Sequence, residues 1–499
     1  MIYVHWLVLL IYGLVVVGAI IKVLFDNQPP VKTTAWLLVL VFLPAIGIII
    51  YFFFGRNTRK ERYISQQSLD QLTRQSMLEF VEQKDLKLPA NHKSLIQLFT
   101  NQSLSLPFKD NEADIYTDGY DFFPALLKAI AGARHHIHLC TYIFADDALG
   151  RLFADALIAK AQQGVEVRVI YDDVGCWNVR SRFFERMREG GVEVQAFMPV
   201  RFPAFTGKVN YRNHRKLCVI DGTTAFIGGM NIALRYVKGT RHQAWRDTHL
   251  CLRGGIVYAV QRAFLIDWYF VDRTLITGGK YYPKERGARG EDQENSDKVQ
   301  GTKLSSHPLS SAPSPSLMLA QVVGSSPVSP WPDIMQGYVR ILLEAKQYVY
   351  METPYFLPTE PVLFAMRTAA LAGIDVRLMV PKKADAKLVQ WAGRSFLEDA
   401  LEAGVKVYLY EAGFNHSKLL VADDSLSTCG STNIDFRSFD NNFEANVFFY
   451  DETMALRMKK VFLDDQEHCV LMSELPQHGI RPFFLRLWES ITRLLSPIL

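Results

Sequence analysis

NHRKLCVIDGTTAFIGGMN (213–231) and NHSKLLVADDSLSTCGSTN (415–433) are two copies of one pattern. Each holds His-x-Lys-x4-Asp: His214, Lys216 and Asp221 in the first, His416, Lys418 and Asp423 in the second. A glycine pair or Gly-Ser follows, then an asparagine, so that Gly228, Gly229 and Asn231 answer to Gly430, Ser431 and Asn433. Every member of the first copy recurs 202 positions later, from His214 to His416 and from Asn231 to Asn433. One such motif by chance is expected on the order of a few hundredths of a time in a chain of this composition. Two with the same tail are a duplication.

The residue types suit a phosphate. An apolar run closed by Asp-Gly reads as a strand entering a tight turn, with TTAFIGG returning beside it. Histidine and lysine two apart on an extended segment project from one face. Asp221 and Asp423 complete the motif seven positions from the histidines, and the periodicity assigns them to bracing the turn more than to touching substrate. The glycine pair allows close backbone approach to a ligand, and the amides of Asn231 and Asn433 can donate to phosphate oxygens. Brought together by pseudo-twofold packing, the two copies would surround one cavity with two imidazoles and two ammonium groups. One histidine can then attack phosphorus while the other protonates the leaving alkoxide, and the lysines and asparagines hold the non-bridging oxygens. An attacking imidazole needs an acceptor on its other nitrogen. Asp247 in WRDTHL and Glu444 in NNFEANVFFY, 33 and 28 residues after the histidines of their own halves, are the candidates to stand behind the rings. No carboxylate cluster beside either motif has the look of a two-metal site, so neither a metal nor a cofactor is expected.

The duplication extends outward. ARHHIHLCTYIF (133–144) matches AKQYVYMETPYF (345–356), and GVEVRVIYDD (164–173) matches GIDVRLMVPK (373–382). Helix and strand patterns alternate in both, which predicts an α/β fold of two pseudo-symmetric units, each a mostly parallel sheet flanked by helices. The expected units run over 111–286 and 317–475, joined by a Ser-, Pro-, Gly- and charge-rich linker over 287–316. A connecting segment, 57–110, precedes them, and an amphipathic helix, within 476–499, follows with Phe484, Leu487, Trp488, Ile491, Leu494 and Leu495 on one side. That helix could lie in a lipid interface or pack on the protein's own core.

Residues 1–56 read as an anchor of two transmembrane helices. Ile2–Ile21 and Thr33–Phe54 contain no Lys, Arg, Asp or Glu, and each is long enough to span a bilayer. Arg56, Arg59, Lys60 and Arg62 follow the second stretch, which puts the rest of the chain on the cytoplasmic side. Met1–His5 lacks the basic start of a cleaved signal peptide. Lys and Arg number 55 against 51 Asp and Glu, so the chain offers no large basic field for nucleic acid. Six cysteines without paired spacing fit a reducing compartment.

The two His-x-Lys-x4-Asp motifs resemble those of the phospholipase D superfamily. The apolar amino terminus with LPAIGIIIYFFFGR, then WRDTHL, ETPYFLP and the terminal SPIL, is similar to the bacterial cardiolipin synthases. That resemblance implies transfer of a phosphatidyl group from one phosphatidylglycerol to the hydroxyl of another, with release of glycerol and a phosphohistidine intermediate. It implies phosphatidylglycerol and membrane lipids as partners, no nucleic acid, and a multi-pass protein of the bacterial inner membrane. By analogy His214 would be the nucleophile and His416 the general acid, an order that the near-symmetry of the halves leaves open. A phospholipase D-type hydrolase, or a synthase using another alcohol or lipid acceptor, would use the same residues; a superfamily nuclease and an inactive scaffold are disfavoured by the apolar spans and the intact motifs.

Overall fold

The computed structural model describes residues 2–25, 30–51, 55, 66–83, 86–200, 210–240, 245–282, 318–475 and 483–497. Among these, both halves build one mixed sheet of sixteen strands. At its middle Pro107–Tyr116 pairs antiparallel with Met318–Ser325, one strand from each half, with Phe108 beside Ala320. Outward through the first half lie His249–Arg253, Thr224–Gly228, Leu217–Ile220, His136–Thr141, Glu166–Asp172 and Glu193–Phe197. The second half mirrors this with Asn442–Phe449, Leu426–Gly430, Leu419–Ala422, Tyr348–Glu352, Asp375–Pro381 and Lys406–Tyr410. Cys469–Leu471 adds an edge to the second half.

The expectation of mostly parallel sheets needs correction. In each half just three consecutive strands run parallel, His136–Thr141, Glu166–Asp172 and Glu193–Phe197 in the first and Tyr348–Glu352, Asp375–Pro381 and Lys406–Tyr410 in the second. The inner ones, which include the strands after each motif, are antiparallel. The physical reason is loop length. A helical crossover separates the outer strands, whereas Asp221-Gly222-Thr223 and Asp423-Asp424-Ser425 are tight turns that can only join antiparallel neighbours.

Helices cover the faces. On one face Val219, Leu252 and Trp268 share an apolar cluster with Ala320, Val447 and Phe462, so the halves bury a common core. On the other face each half keeps its own. The segment before the first repeat contributes to both. Helix Gln66–Glu82 lies on helix Ile256–Asp272, where Arg262 donates to Thr73, and helix Lys93–Ser103 sets Phe99 against Phe448 of the second half. The sheet therefore starts at Pro107, ahead of the boundary expected at 111. The proposed linker, 287–316, lies outside the described residues.

Towards the amino terminus, Ile2–Phe25 forms one helix, whereas the second apolar stretch is broken into Pro30–Phe42 and Pro44–Ile50. Pro44 cannot donate to the preceding turn, and Leu43 leaves helical geometry. Among the described residues no helix is long and apolar enough to cross a membrane.

Asp221 and Asp423 sit in their turns with positive φ, 53° and 50°. The Asp221 carboxylate accepts from the backbone N–H of Arg134, His135 and His136, where strand His136–Thr141 begins. Asp423 does the same for Lys346, Gln347 and Tyr348. Each aspartate thus ties the turn after its motif to the start of the neighbouring strand. Asp221→Ala, which strands three N–H groups and places alanine at a left-handed φ, should destabilise the fold by about 2–3 kcal/mol. Thermal unfolding of the purified variant checks this; an unchanged Tm together with abolished turnover would contradict it.

Candidate active site

The histidines are held where each half crosses into the other. Arg212–Asn213 pairs parallel with Asn442–Phe443, and the His214 N–H continues the ladder to the Phe443 carbonyl at 2.9 Å. In mirror fashion Phe414–Asn415 pairs with Trp245–Arg246, and the His416 N–H donates to the Arg246 carbonyl at 2.7 Å. Arg215 clamps the first crossing, donating to the Glu444 carbonyl and forming a buried ion pair with Asp267 at 2.7 Å. At the second crossing the equivalent of Arg215 is Ser417, bonded to Thr248 at 2.8 Å, while Arg246 pairs with Asp465 at 2.6 Å.

The same crossing exchanges the carboxylates. His214 Nδ1 lies 3.0 Å from Glu444, and His416 Nδ1 lies 2.6 Å from Asp247. Each candidate thus stands behind the histidine of the opposite half rather than of its own. An ionised carboxylate can only accept, so Nδ1 carries the proton in both rings and Nε2 is left for the cavity. Burial works against both carboxyl groups. For Glu444 the His214 Nδ1–H and the Lys216 ammonium win, for Asp247 the Lys418 ammonium and the His416 Nδ1–H, and both carboxyls are held below their ordinary range. Burial also lowers the imidazoles, His214 against the pull of Glu444 and His416, with Lys418 adding to the effect, to about 3. It brings Lys216 down to about 7 and Lys418 to about 8, despite the carboxylates nearby. Without ligand, two neutral imidazoles face a cavity backed by ammonium groups that are ready to lose or keep a proton.

That cavity, about 310 Å³, is lined by both histidines and both asparagines. Asn231 accepts from Ile143 N–H and donates to Tyr236, and Asn433 donates to Asp435, so each amide has one further hydrogen for a ligand. The lysines lie behind, Lys216 donating to the His214 carbonyl at 2.6 Å and Lys418 to the His416 carbonyl. Asp221 and Asp423 are outside the lining. The glycine pair needs another explanation than ligand approach. A Cβ at Gly229 would sit 2.0 Å from the Asp247 carboxylate, and one at Gly228 2.5 Å from His249. Ser431, in the place of Gly229, turns its hydroxyl to Glu444 at 2.5 Å. Gly229 and Ser431 thus shape the carboxylates, and Gly228 makes room for His249. Sequence reasoning missed Arg235 and Arg437, which line the cavity on the motifs' far side. They too are 202 positions apart, and following the repeat four residues beyond the asparagines would have found them.

Comparison with known proteins agrees with this geometry. The family model for "Cardiolipin synthase, PLD-like domain" matches residues 126–248 and 338–466, one match around each histidine. The Major cardiolipin synthase ClsA of Bacillus subtilis is 37% identical over 495 residues, covering 96% of both chains. The chain belongs to the phospholipase D-like cardiolipin synthase family. A cardiolipin synthase of Listeria monocytogenes is 34% identical and covers 99% of each chain. A "Phospholipase_D-nuclease N-terminal" model matches 14–56. Among solved structures, phosphatidylserine synthase of Haemophilus influenzae shares the fold with a TM-score of 0.59 at 15% identity, over 82% of this chain and all of that one. In this family member residues of both repeats line one cavity.

Two outcomes follow from the electrostatics. Because Lys216 and Lys418 titrate near 7 and 8 in the empty cavity, kcat/KM should fall as pH rises through that range. A bound phosphate anion favours the ammonium form, so kcat should hold to higher pH. A kcat/KM flat to about pH 10, the ordinary lysine range, would contradict this. Glu444→Gln and Asp247→Asn should each cut kcat by about 10²–10⁴-fold, since each leaves a ring in the wrong tautomer or orientation. Steady-state rates at fixed lipid fraction measure it, and a loss under about two-fold would exclude the orienting role, which is worth far more than that.

Proposed function

We propose that the chain joins two phosphatidylglycerol molecules into cardiolipin and glycerol through a phosphohistidine. His214 Nε2 attacks the phosphorus of the first lipid as the bond to the departing glycerol breaks, and the glycerol oxygen takes a proton from His416. The terminal hydroxyl of the second lipid then gives its proton to His416 and attacks phosphorus, and the N–P bond breaks. The bound phosphodiester anion supplies the proton affinity that His416 lacks in the empty cavity. His214 suits the covalent role because Glu444, behind it, is itself fixed by Ser431 and Asn442. Lys216, Lys418, Asn231 and Asn433 stabilise the charge on the non-bridging oxygens.

The observation that favours transfer between lipids is the second pair of cations. Arg235 and Arg437 are half-buried at the cavity, and among the described residues neither has a carboxylate partner. A hydrolase has one phosphate to hold, whereas the acceptor phosphatidylglycerol brings a second. A guanidinium on each side of the reacting centre meets that need. The amino-terminal helices anchor the enzyme in the membrane that holds both substrates. Support for this comes from the apolar side chains they turn outward, such as Trp6, Leu10, Leu14 and Ile49, and from the basic residues after Gly55. We assign the anchor to 1–56 and the catalytic units to 111–286 and 317–475, with the catalytic side cytoplasmic.

Labelled phosphatidylglycerol in mixed micelles decides the reaction. Cardiolipin and glycerol in equal amounts are expected; phosphatidic acid without cardiolipin would show a hydrolase. His214→Ala and His416→Ala should each abolish turnover, with labelled phosphate trapped on protein only where the nucleophile survives. Arg235→Ala and Arg437→Ala should each slow cardiolipin formation by about 10–100-fold, the scale of one charged hydrogen-bond partner. Full activity in both would remove the two-phosphate reading.

A further inference from the structure

The helix Phe483–Arg493 is amphipathic, and it is packed the wrong way round for a soluble protein. Its polar side faces the body. Glu489 and Thr492 are buried, and so is Ser496 just beyond the helix. Arg493 pairs with Asp399 at 2.8 Å, donates to Ser395 and lies over the Phe396 ring, all on helix Lys387–Glu402. Its apolar side faces outward, with Phe484 80%, Leu494 79% and Phe483 72% exposed, and Leu487, Trp488 and Ile491 more than two-fifths exposed. Folding in water alone would select the opposite orientation.

The position of this face is informative. Trp488 meets Trp391, and Arg493 meets Ser395 and Asp399, so the two helices run side by side in the same direction. The start of the terminal helix, with Phe483 and Phe484, therefore lies towards the start of helix Lys387–Glu402. There Asp385, Ala386 and Val389 form the wall of the catalytic cavity. A small cleft of about 60 Å³, lined by Phe356, Val380, Leu397 and Leu409, shares Tyr355 and Val389 with that cavity. The outward-facing apolar helix is thus carried on the same helix, Lys387–Glu402, whose start borders the cavity. Arg486, exposed beside this face, adds a positive charge, and Trp488 has the side chain favoured at headgroup depth.

We propose that the terminal helix is a bilayer-docking surface. It inserts its Phe483, Phe484, Leu487, Ile491 and Leu494 face into the headgroup–acyl boundary of an anionic leaflet and sets the cavity mouth against the lipids it draws from. The proposal rests on the reading that the substrates are bilayer lipids, and it adds a second membrane contact, separate from the amino-terminal helices. Those helices keep the enzyme at the membrane; this one orients the catalytic body on it.

The full chain in nanodiscs containing phosphatidylglycerol tests this. Of the six cysteines, only Cys469 is not buried, so a Cys469→Ser background allows an environment-sensitive fluorophore at Phe484→Cys or Leu494→Cys, with Lys460→Cys, 75% exposed, as the control. Spin-labelled lipids should quench the first two at least two-fold and leave the control unchanged. Quenching equal to the control would overturn the proposal, as would disulfide crosslinking between two chains through Phe484→Cys, which would make the face a contact between copies. In kinetics, the double variant Phe484→Ser, Leu487→Ser should lose about ten-fold in rate on bilayers yet match wild type on monomeric short-chain phosphatidylglycerol. Equal rates on bilayers, or loss on both substrates, would overturn docking. Failure of the wild-type chain to use the short-chain lipid would count against the substrate reading itself.

Discussion

Asp247 and Glu444 have no exposed surface, and each stays ionised by facing a histidine and lysine of a cavity that neither half builds alone. A buried carboxylate deprived of its partner is strongly destabilising, on the order of 3–5 kcal/mol. The exchange of carboxylates between halves is therefore a constraint on the whole architecture. It requires the two short parallel pairings that carry His214 and His416 across the midline, and these in turn require the continuous sheet through Pro107–Tyr116 and Met318–Ser325. Duplication with exchange yields one site from two repeats, with two imidazoles held by different scaffolds.

The repeats have diverged just where the roles differ. Gly229 leaves room for Asp247, while Ser431 at the matching position bonds Glu444. Arg215 anchors one histidine strand to Asp267, while its counterpart Ser417 leaves that work to Arg246 and Asp465. The histidines therefore differ in environment although their motifs are alike. In the proposed mechanism that difference separates the imidazole that carries the phosphoryl group from the one that handles protons.

Much of the site could be read from spacing. His214, His416, Asn231 and Asn433 were legible because a 202-residue repeat brings like residues to like places. The turn-bracing role of Asp221 and Asp423 was legible from strand periodicity. Other features follow from contacts that leave no local trace. Which carboxylate serves which histidine depends on pairing between strands about two hundred residues apart, and a glycine made necessary by Asp247 looks in sequence like one made necessary by a ligand. Helix–strand alternation, read inward, predicts parallel neighbours where tight turns in fact join antiparallel ones. Arg235 and Arg437 lie where the repeat has thinned, matched beyond the asparagines only by Ile232 and Ile434. The break before Pro44 was visible as a proline, yet it was absorbed into an unbroken apolar run.

The most direct test of the exchanged site is the ¹⁵N spectrum of the histidine rings in protein labelled at histidine, with the two resonances identified from His214 and His416 variants. Glu444→Gln should shift the His214 ring nitrogens and leave His416 nearly unchanged, and Asp247→Asn should do the reverse. If each substitution instead moved the histidine of its own half, the exchange of carboxylates, and the single shared site that depends on it, would be contradicted.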